Sequence, residues 1–173
     1  MNKADKINCR AAAVCSAAGT ILLILTILML VPLTVPKLFG YQPYTVISGS
    51  MEPAIATGSL VYVRHVEPEA VVAKEVIAYY GGRDRDSVIT HRVVENNVSD
   101  REFITKGDAN SANDMTPVPY HNLLGCVEVT IPSLGYAAQL LTIREGKLAM
   151  IGVIGIAMVL NLVAVKLNRR RKN

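Results

Sequence analysis

Two long runs without a charged residue constrain this chain more than any other feature of its sequence. Residues 11–35 carry no charged side chain, and neither do residues 148–165. A helix needs about 20 mostly apolar residues to cross the hydrocarbon core of a bilayer, and both runs approach that length. The sequence therefore predicts transmembrane helices at 11–35 and 147–166, with one globular region, residues 36–146, between them.

The first run has a second interpretation, a cleaved signal peptide, because Lys3, Lys6 and Arg10 form a basic segment in front of it. Such a peptide would end in a small-x-small cleavage site. Residues 35–39 instead read Val-Pro-Lys-Leu-Phe. We therefore interpret the first run as a retained anchor.

Charge is distributed unevenly along the chain. Basic residues crowd the predicted cytoplasmic ends, 1–10 and 167–173, and the positive-inside rule then places residues 36–146 outside the cytoplasm. The predicted location is the cell (plasma) membrane, crossed twice, or the endoplasmic-reticulum membrane in a eukaryote. Residues 37–146 hold nine Lys and Arg against thirteen Asp and Glu. That excess of acid argues against nucleic acid as a partner, because phosphate binding needs clustered positive charge.

The region between the two runs is predicted to be mainly β. It contains short apolar runs separated by turn-forming residues, and none of them has the length of a globular helix. The predicted strands are 45–47, 60–63, 71–80, 88–94, 103–105 and 127–131. After them, the apolar stretch 133–143 is expected to rest on the membrane surface. Cys126 is the single cysteine of this region, so no disulfide forms within it, and we interpret it as a small buried side chain.

The segment with the clearest chemical potential is Ser-Gly-Ser-Met-Glu-Pro at residues 48–53. It is not the nucleophile elbow of hydrolases, because that turn needs glycine two places before and two places after its serine. A serine hydroxyl is a weak nucleophile and needs a base to take its proton. Of the three histidines, His91 is the leading candidate because it lies inside a predicted strand, whereas His65 follows one and His121 lies in a turn.

An imidazole base is normally oriented by a carboxylate. Asp108 and Asp114 are the candidates, and spacing alone does not separate them. The segment around them has acidic and amide residues at alternate positions, as a calcium loop does, but Asn113 and Pro119 stand where that loop requires glycine and glutamate. No other group of His, Cys or carboxylate side chains has metal-ligand spacing, so neither a metal nor another cofactor is predicted.

Four blocks occur in a fixed order and together resemble those of type I signal peptidases. The blocks are Ser-Gly-Ser-Met-x-Pro at 48–53, Gly-Ser-Leu-Val-Tyr-Val at 58–63, Thr-His-Arg-Val at 90–93 and Lys-Gly-Asp through Asp at 106–114. The resemblance extends from the first apolar run through Pro132. Because a histidine stands at position 91 where the common bacterial branch has a lysine, the chain resembles the endoplasmic-reticulum and archaeal branch, which some Gram-positive bacteria also contain.

The resemblance implies a role for each matching residue. Ser50 would be the nucleophile, His91 the general base and Asp114 the favoured carboxylate partner of that base. Asp108 would be a supporting acidic residue. The Ser50 backbone N–H, joined by the Ser48 hydroxyl, would form the oxyanion hole.

The resemblance also implies a fold and a substrate. The fold would be an extracytoplasmic catalytic domain of coiled β-sheets between two transmembrane helices, with the substrate lying as an added strand. Thr45, Val46 and Ile47 would line shallow pockets that select Ala-x-Ala before the cut. The implied function is a membrane-bound serine endopeptidase that removes signal peptides from exported preproteins. The bilayer and subunits of the secretion machinery would be its other partners.

Two alternatives remain open at this point. A Ser-Lys protease would use Lys106 or Lys74 as the base, as related self-cleaving repressors use a lysine. A catalytically silent relative would serve as a membrane-bound scaffold or binding subunit of a secretion complex.

Overall fold

The computed structural model describes residues 3–81 and 87–170, with side chains described from residue 10 to 169 outside that gap. The described chain forms three α-helices, which are α1 (Lys3–Thr34), α2 (Leu134–Thr142) and α3 (Arg144–Arg170). Within the described residues, the seven strands between α1 and α2 are β1 (Tyr41–Thr45), β2 (Leu60–Arg64), β3 (Val76–Gly81), β4 (Ser87–Asn97), β5 (Glu102–Lys106), β6 (Val118–Pro119) and β7 (Leu123–Ile131). The chain divides into two compact units: Leu33–Gln139, and Met1–Pro32 with Leu140–Asn173.

The strands form a single antiparallel sheet in the order β1-β2-β7-β3-β4-β5-β6. The prediction of a mainly β region is thereby confirmed. Both edge strands contain proline, Pro43 in β1 and Pro119 in β6. Proline lacks the N–H that an inner strand must donate to its neighbour, so an edge is where a sheet tolerates it. Strands β3, β4 and β5 are inner strands in this order.

Several strand bounds differ from those predicted. The predicted strand 45–47 ends at Thr45 and begins earlier, at Tyr41. The predicted strand 71–80 begins only at Val76, because Lys74 adopts a left-handed conformation (φ 79°) that no strand accommodates. The stretch 133–143, for which we expect a place on the membrane surface, contains helix α2.

Apolar side chains from both faces of the sheet fix the strands that carry the polar residues. One cluster includes Ile77, Val93 and Phe103, each at most 1% exposed. A second cluster packs Met51 and Ile55 of the β1–β2 loop against Val61, Val63 and Ala78 of the sheet. Because Met51 is fully buried, the loop that contains residues 48–50 is tied to the core.

In the helical unit, α1 and α3 are long and apolar enough to cross a membrane. The windows Arg10–Phe39 and Arg144–Arg169 each have a mean hydropathy of 2.6. Many of their large apolar side chains are exposed, for example Leu28 at 63% and Leu162 at 68%. Apolar surface of this kind suits lipid rather than water.

The two long helices approach each other closely at one polar residue. A side chain at Gly19 would collide with the Asn161 amide at 2.5 Å and with the Ala157 carbonyl at 2.9 Å. The Nδ2 of Asn161 donates to the Ala157 carbonyl of its own helix, at 3.0 Å. Close packing at a small residue therefore joins the pair here.

Candidate active site

Ser50 lies in a loop that backbone hydrogen bonds close at its base. The Val46 N–H donates to the Ser59 carbonyl at 2.9 Å, and the Gly58 N–H donates to the Val46 carbonyl at 2.8 Å. Gly58 has φ 82°, and a side chain there would collide with the Tyr136 ring at 2.1 Å. The glycine of the second sequence block is thus required by this closure.

The polar atoms of Ser50 have defined neighbours. Its Oγ lies 3.4 Å from Ser48 Oγ. Its backbone carbonyl accepts the Ala109 N–H at 2.9 Å. The loop of residues 107–114 is therefore hydrogen-bonded to the main chain of Ser50.

His91 lies on β4, with a side chain that is 11% exposed. Its Nδ1 lies 2.5 Å from Asp114 Oδ2, so one ring nitrogen is occupied by a carboxylate. The Tyr79 hydroxyl lies 3.4 Å from the same nitrogen. The other ring nitrogen, Nε2, is left for a further partner.

Gly107 lies between His91 and Ser50. A Cβ built on Gly107 would be 3.1 Å from His91 Nε2 and 2.6 Å from the Ser50 carbonyl oxygen. Because both atoms lie so near one point, His91 Nε2 and the main chain of Ser50 are close neighbours. Only a residue without a side chain permits this approach.

Asp114 is held by groups in addition to His91. The Thr105 hydroxyl donates to Asp114 Oδ2 at 2.6 Å, and the Asp114 N–H donates to the Thr105 carbonyl at 2.8 Å. The Asp114 carboxylate is 20% exposed. Among the described residues, its side-chain partners are the His91 imidazole and the Thr105 hydroxyl, which together hold the carboxylate in a defined position.

Asp108 has a different partner. Arg92 donates from Nε to Asp108 Oδ1 at 2.8 Å and from its terminal nitrogen to Oδ2 at 2.6 Å, a bidentate pair. Arg92 also donates to the Lys74 carbonyl at 2.7 Å. The hydrogen bonds from Arg92 lower the pKa of Asp108, although partial burial opposes them. The pair keeps Asp108 ionised and fastens the 107–114 loop to β4.

A cleft of about 390 Å³ adjoins Ser48 and runs between two parts of the sheet. Thr45, Val46 and Ile47 line one side, and Ser87–Thr90 of β4 line another. Ile47 is 78% exposed and Val46 is buried. All three residues predicted to line substrate pockets therefore border this cleft together with Ser48.

The other histidines and Lys74 lie elsewhere, and Lys106 lies within electrostatic reach of Asp108. His65 lies beyond the end of β2, with Nδ1 3.4 Å from the Leu124 carbonyl, and His121 lies in a 3₁₀ turn (Tyr120–Asn122). Lys74 is exposed in its left-handed turn. Lys106 follows Thr105 on β5, and alternation points it to the opposite face from Asp114.

Sequence reasoning missed four residues of this site: Tyr79, Arg92, Thr105 and Gly107. Arg92 and Gly107 were present in the matching blocks, directly beside His91 and Asp108, so their positions carried a usable signal. Thr105 and Tyr79 reach the site through strand pairing, which the sequence does not display. Within residues 3–81 and 87–170, no three His, Cys, Asp or Glu side chains converge as metal ligands would.

The sequence of this chain is similar to those of proteins named signal peptidases. No family model matches the chain. It is 38% identical over 91 residues to signal peptidase I W of Bacillus subtilis, a match covering 51% of this chain and 47% of that protein. It is 34% identical over 127 residues to the signal peptidase complex catalytic subunit SEC11 of Fusarium vanettenii, which covers 66% of this chain and 73% of the subunit. The SEC11 subunit of Verticillium alfalfae is 33% identical over the same shares.

Proposed function

We propose, on the premise that this chain belongs to the type I signal peptidase family, that it removes N-terminal signal peptides from exported preproteins by Ser-His-Asp chemistry. Its relatives are named as signal peptidases, so the chain is a signal peptidase and therefore a protease. The observation that carries the catalytic proposal is the 2.5 Å contact between His91 and Asp114, with His91 Nε2 turned toward the Ser50 segment.

In the first step, Ser50 Oγ attacks the carbonyl carbon of the scissile bond. The hydroxyl proton passes to His91 Nε2, and a C–O bond forms as the carbonyl π pair moves onto oxygen. Asp114 accepts the Nδ1–H of His91, which fixes the tautomer and stabilises the imidazolium that forms. The 2.5 Å contact supports this role.

The tetrahedral intermediate carries a negative oxygen that needs donors. The Ser50 N–H and the Ser48 hydroxyl are the proposed donors, and the 3.4 Å separation of the two serine Oγ atoms supports the second. One such donor contributes roughly 3 kcal/mol to a transition state of this kind. Collapse of the intermediate breaks the C–N bond, and His91 returns its proton to the leaving amine of the mature protein.

Water then releases the signal peptide. The acyl group of the peptide remains on Ser50 Oγ until water attacks, with His91 again taking a proton at Nε2. The attack regenerates the serine hydroxyl and a free carboxylate on the signal peptide. Both half-reactions thus use Ser50 and His91. Ser50 is the nucleophile in the first and the leaving group in the second, and His91 transfers the proton in each.

Substrate selection is proposed to occur in the cleft beside Ser48. An extended segment of preprotein would lie along residues 45–47 and the start of β4, which line that cleft. Among the residues that line the cleft, Val46, Val61 and Ile89 are apolar, which supports binding of the apolar alanine side chains of an Ala-x-Ala site.

The two apolar helices support a membrane-anchored arrangement with residues 36–146 outside the cytoplasm. The predicted cytoplasmic residues 1–2 and 171–173 lie outside the described residues. Asn97-Val98-Ser99 is a glycosylation sequon between the helices. Synthesis into microsomes should therefore give a glycan at Asn97 that the Ser99→Ala control lacks, whereas an unglycosylated wild type would contradict this topology.

Because SEC11 is named as a subunit of a signal peptidase complex, partner subunits are proposed for this chain as well.

The test of the function is cleavage of a preprotein with an Ala-x-Ala site by membranes that contain this chain. Wild type and Ser99→Ala should release the mature protein equally, and Ser50→Ala should release none. Replacing the alanine at the cut with phenylalanine should abolish cleavage by wild type. Equal cleavage by wild type and Ser50→Ala would overturn the proposal.

A further inference from the structure

Thr105 contacts the Asp114 side of the site at two points. Its side-chain hydroxyl donates to Asp114 Oδ2 at 2.6 Å, and its backbone carbonyl accepts the Asp114 N–H at 2.8 Å. Thr105 is fully buried, so bulk water does not compete for its hydroxyl. A single residue of β5 thus fixes both the main chain and the carboxylate of Asp114.

The hydroxyl of Thr105 acts on the same oxygen that faces His91. Asp114 Oδ2 lies 2.5 Å from His91 Nδ1 and 2.6 Å from Thr105 Oγ1. The terminal torsion of an aspartate is broad, so one hydrogen bond alone would leave the carboxylate free to rotate. A second donor on the same oxygen removes that freedom.

We infer that Thr105 is a positioning residue, which holds the Asp114 carboxylate on His91 Nδ1 while the proton moves on and off Nε2. The inference rests on the proposed function, since it assigns Thr105 to the Ser50-His91-Asp114 mechanism. Thr105 is not among the residues that line the cleft, so it has no direct part in substrate binding.

A neutral hydroxyl also lies beside the pair formed by His91 and Asp114. The Tyr79 hydroxyl lies 3.4 Å from His91 Nδ1, and its ring packs edge-on against the imidazole at 6.3 Å between centroids. Burial, with a smaller effect from the Asp114 carboxylate, raises the pKa of Tyr79 to about 12, so this hydroxyl stays protonated in the working pH range. The Asp108 carboxylate, which is paired with Arg92, also interacts electrostatically with His91.

The test compares two substitutions of Thr105 in the full chain, in detergent. Thr105→Val removes the hydroxyl at nearly constant volume, and Thr105→Ser keeps it. Hydrogen bonds to charged groups correspond to roughly tenfold to hundredfold in rate, so Thr105→Val should lower kcat by about that factor and leave KM unchanged. Thr105→Ser should restore kcat to within about threefold of wild type.

NMR spectra of protein with isotope-labelled histidines provide a readout that a purely structural role of Thr105 would leave unchanged. The chain has three histidines, so its imidazole signals are few. Thr105→Val should shift the Nδ1–H signal of His91, and Thr105→Ser should not. The signals of His65 and His121 should stay in place, which shows that the fold is intact.

The failure of this inference differs from failure of the proposed function. If Asp114→Ala is inactive while Thr105→Val has wild-type kcat and an unchanged His91 signal, Thr105 does not position the carboxylate. A loss of kcat in Thr105→Val that persists undiminished in an Asp114→Ala background would also overturn the inference, because Thr105 would then act without Asp114. An Asp114→Ala protein with full activity would overturn both proposals.

Discussion

Asp108 lies near the start and Asp114 at the end of the loop of residues 107–114, and their carboxylates have different surroundings. Asp114 faces an imidazole and a threonine hydroxyl, so its charge is available to a proton that arrives on His91. Asp108 faces the guanidinium of Arg92, which already neutralises it. The partner of each carboxylate therefore decides its role: the imidazole beside Asp114 suits the proposed catalysis, and the guanidinium beside Asp108 holds the loop in place.

The largest expected effect is that of Asp114→Asn. The amide cannot stabilise an imidazolium, and it favours the wrong tautomer of His91, which in a comparable triad costs about 10⁴-fold in kcat. We expect a loss of that order with little change in melting temperature. Steady-state cleavage of the preprotein measures it. A loss no greater than that of Asp108→Asn would erase the distinction between the two carboxylates.

The next effect concerns the glycine between the two halves of the site. Gly107→Ala places a methyl group 2.6 Å from the Ser50 carbonyl and 3.1 Å from His91 Nε2, so the loop must move. A displacement of about 1 Å at reacting groups can cost about 10²-fold in rate. Gly152→Ala, on α3 with open space around it, is the matched control and should keep full activity. Wild-type activity in Gly107→Ala would show that the loop need not lie against the site.

The smallest effect is that of Asp108→Asn, and it depends on pH. Because Arg92 lowers the pKa of Asp108, the pair stabilises the fold fully above the ordinary aspartate pKa of 3.8, and this stabilisation is lost as pH falls through the lowered value. Asp108→Asn should therefore melt several degrees lower than wild type at pH 7, and this difference should shrink as pH falls below 4.

The control for that experiment is an exposed ion pair. Glu69 lies 3.7 Å from Arg101 with both side chains largely exposed, so Glu69→Gln should leave the melting temperature nearly unchanged at every pH. A melting difference for Asp108→Asn that stayed constant down to pH 2 would mean that its ionisation does not contribute.

Local sequence patterns predicted much of this molecule. Four ordered blocks indicated the family, and the comparisons confirm it. Alternation indicated a mainly β region, which the sheet confirms. The Ala-x-Ala preference, the membrane topology and the roles of the site residues stay predictions.

What the sequence did not reveal depends on long-range contacts. Strand β1 was not predicted over its full length because it contains Pro43, and proline fits a strand only at an edge of a sheet, where β1 lies. Helix α2 was missed because its apolar side chains, such as Ala138, suit a membrane surface as well as the core cluster with Leu60 and Tyr62. Spacing left Asp108 and Asp114 equally able to reach His91, and only the pairing of β4 with β5 shows which of them contacts it.

Single-turnover cleavage by Ser50→Ala, His91→Ala and the double variant tests whether Ser50 and His91 act, with Asp114, as one unit. When residues act as a unit, removing one of them already removes their joint contribution, so we expect the double variant to be no slower than the slower single variant. Losses that multiply in the double variant would contradict it, and so would full activity in His91→Ala.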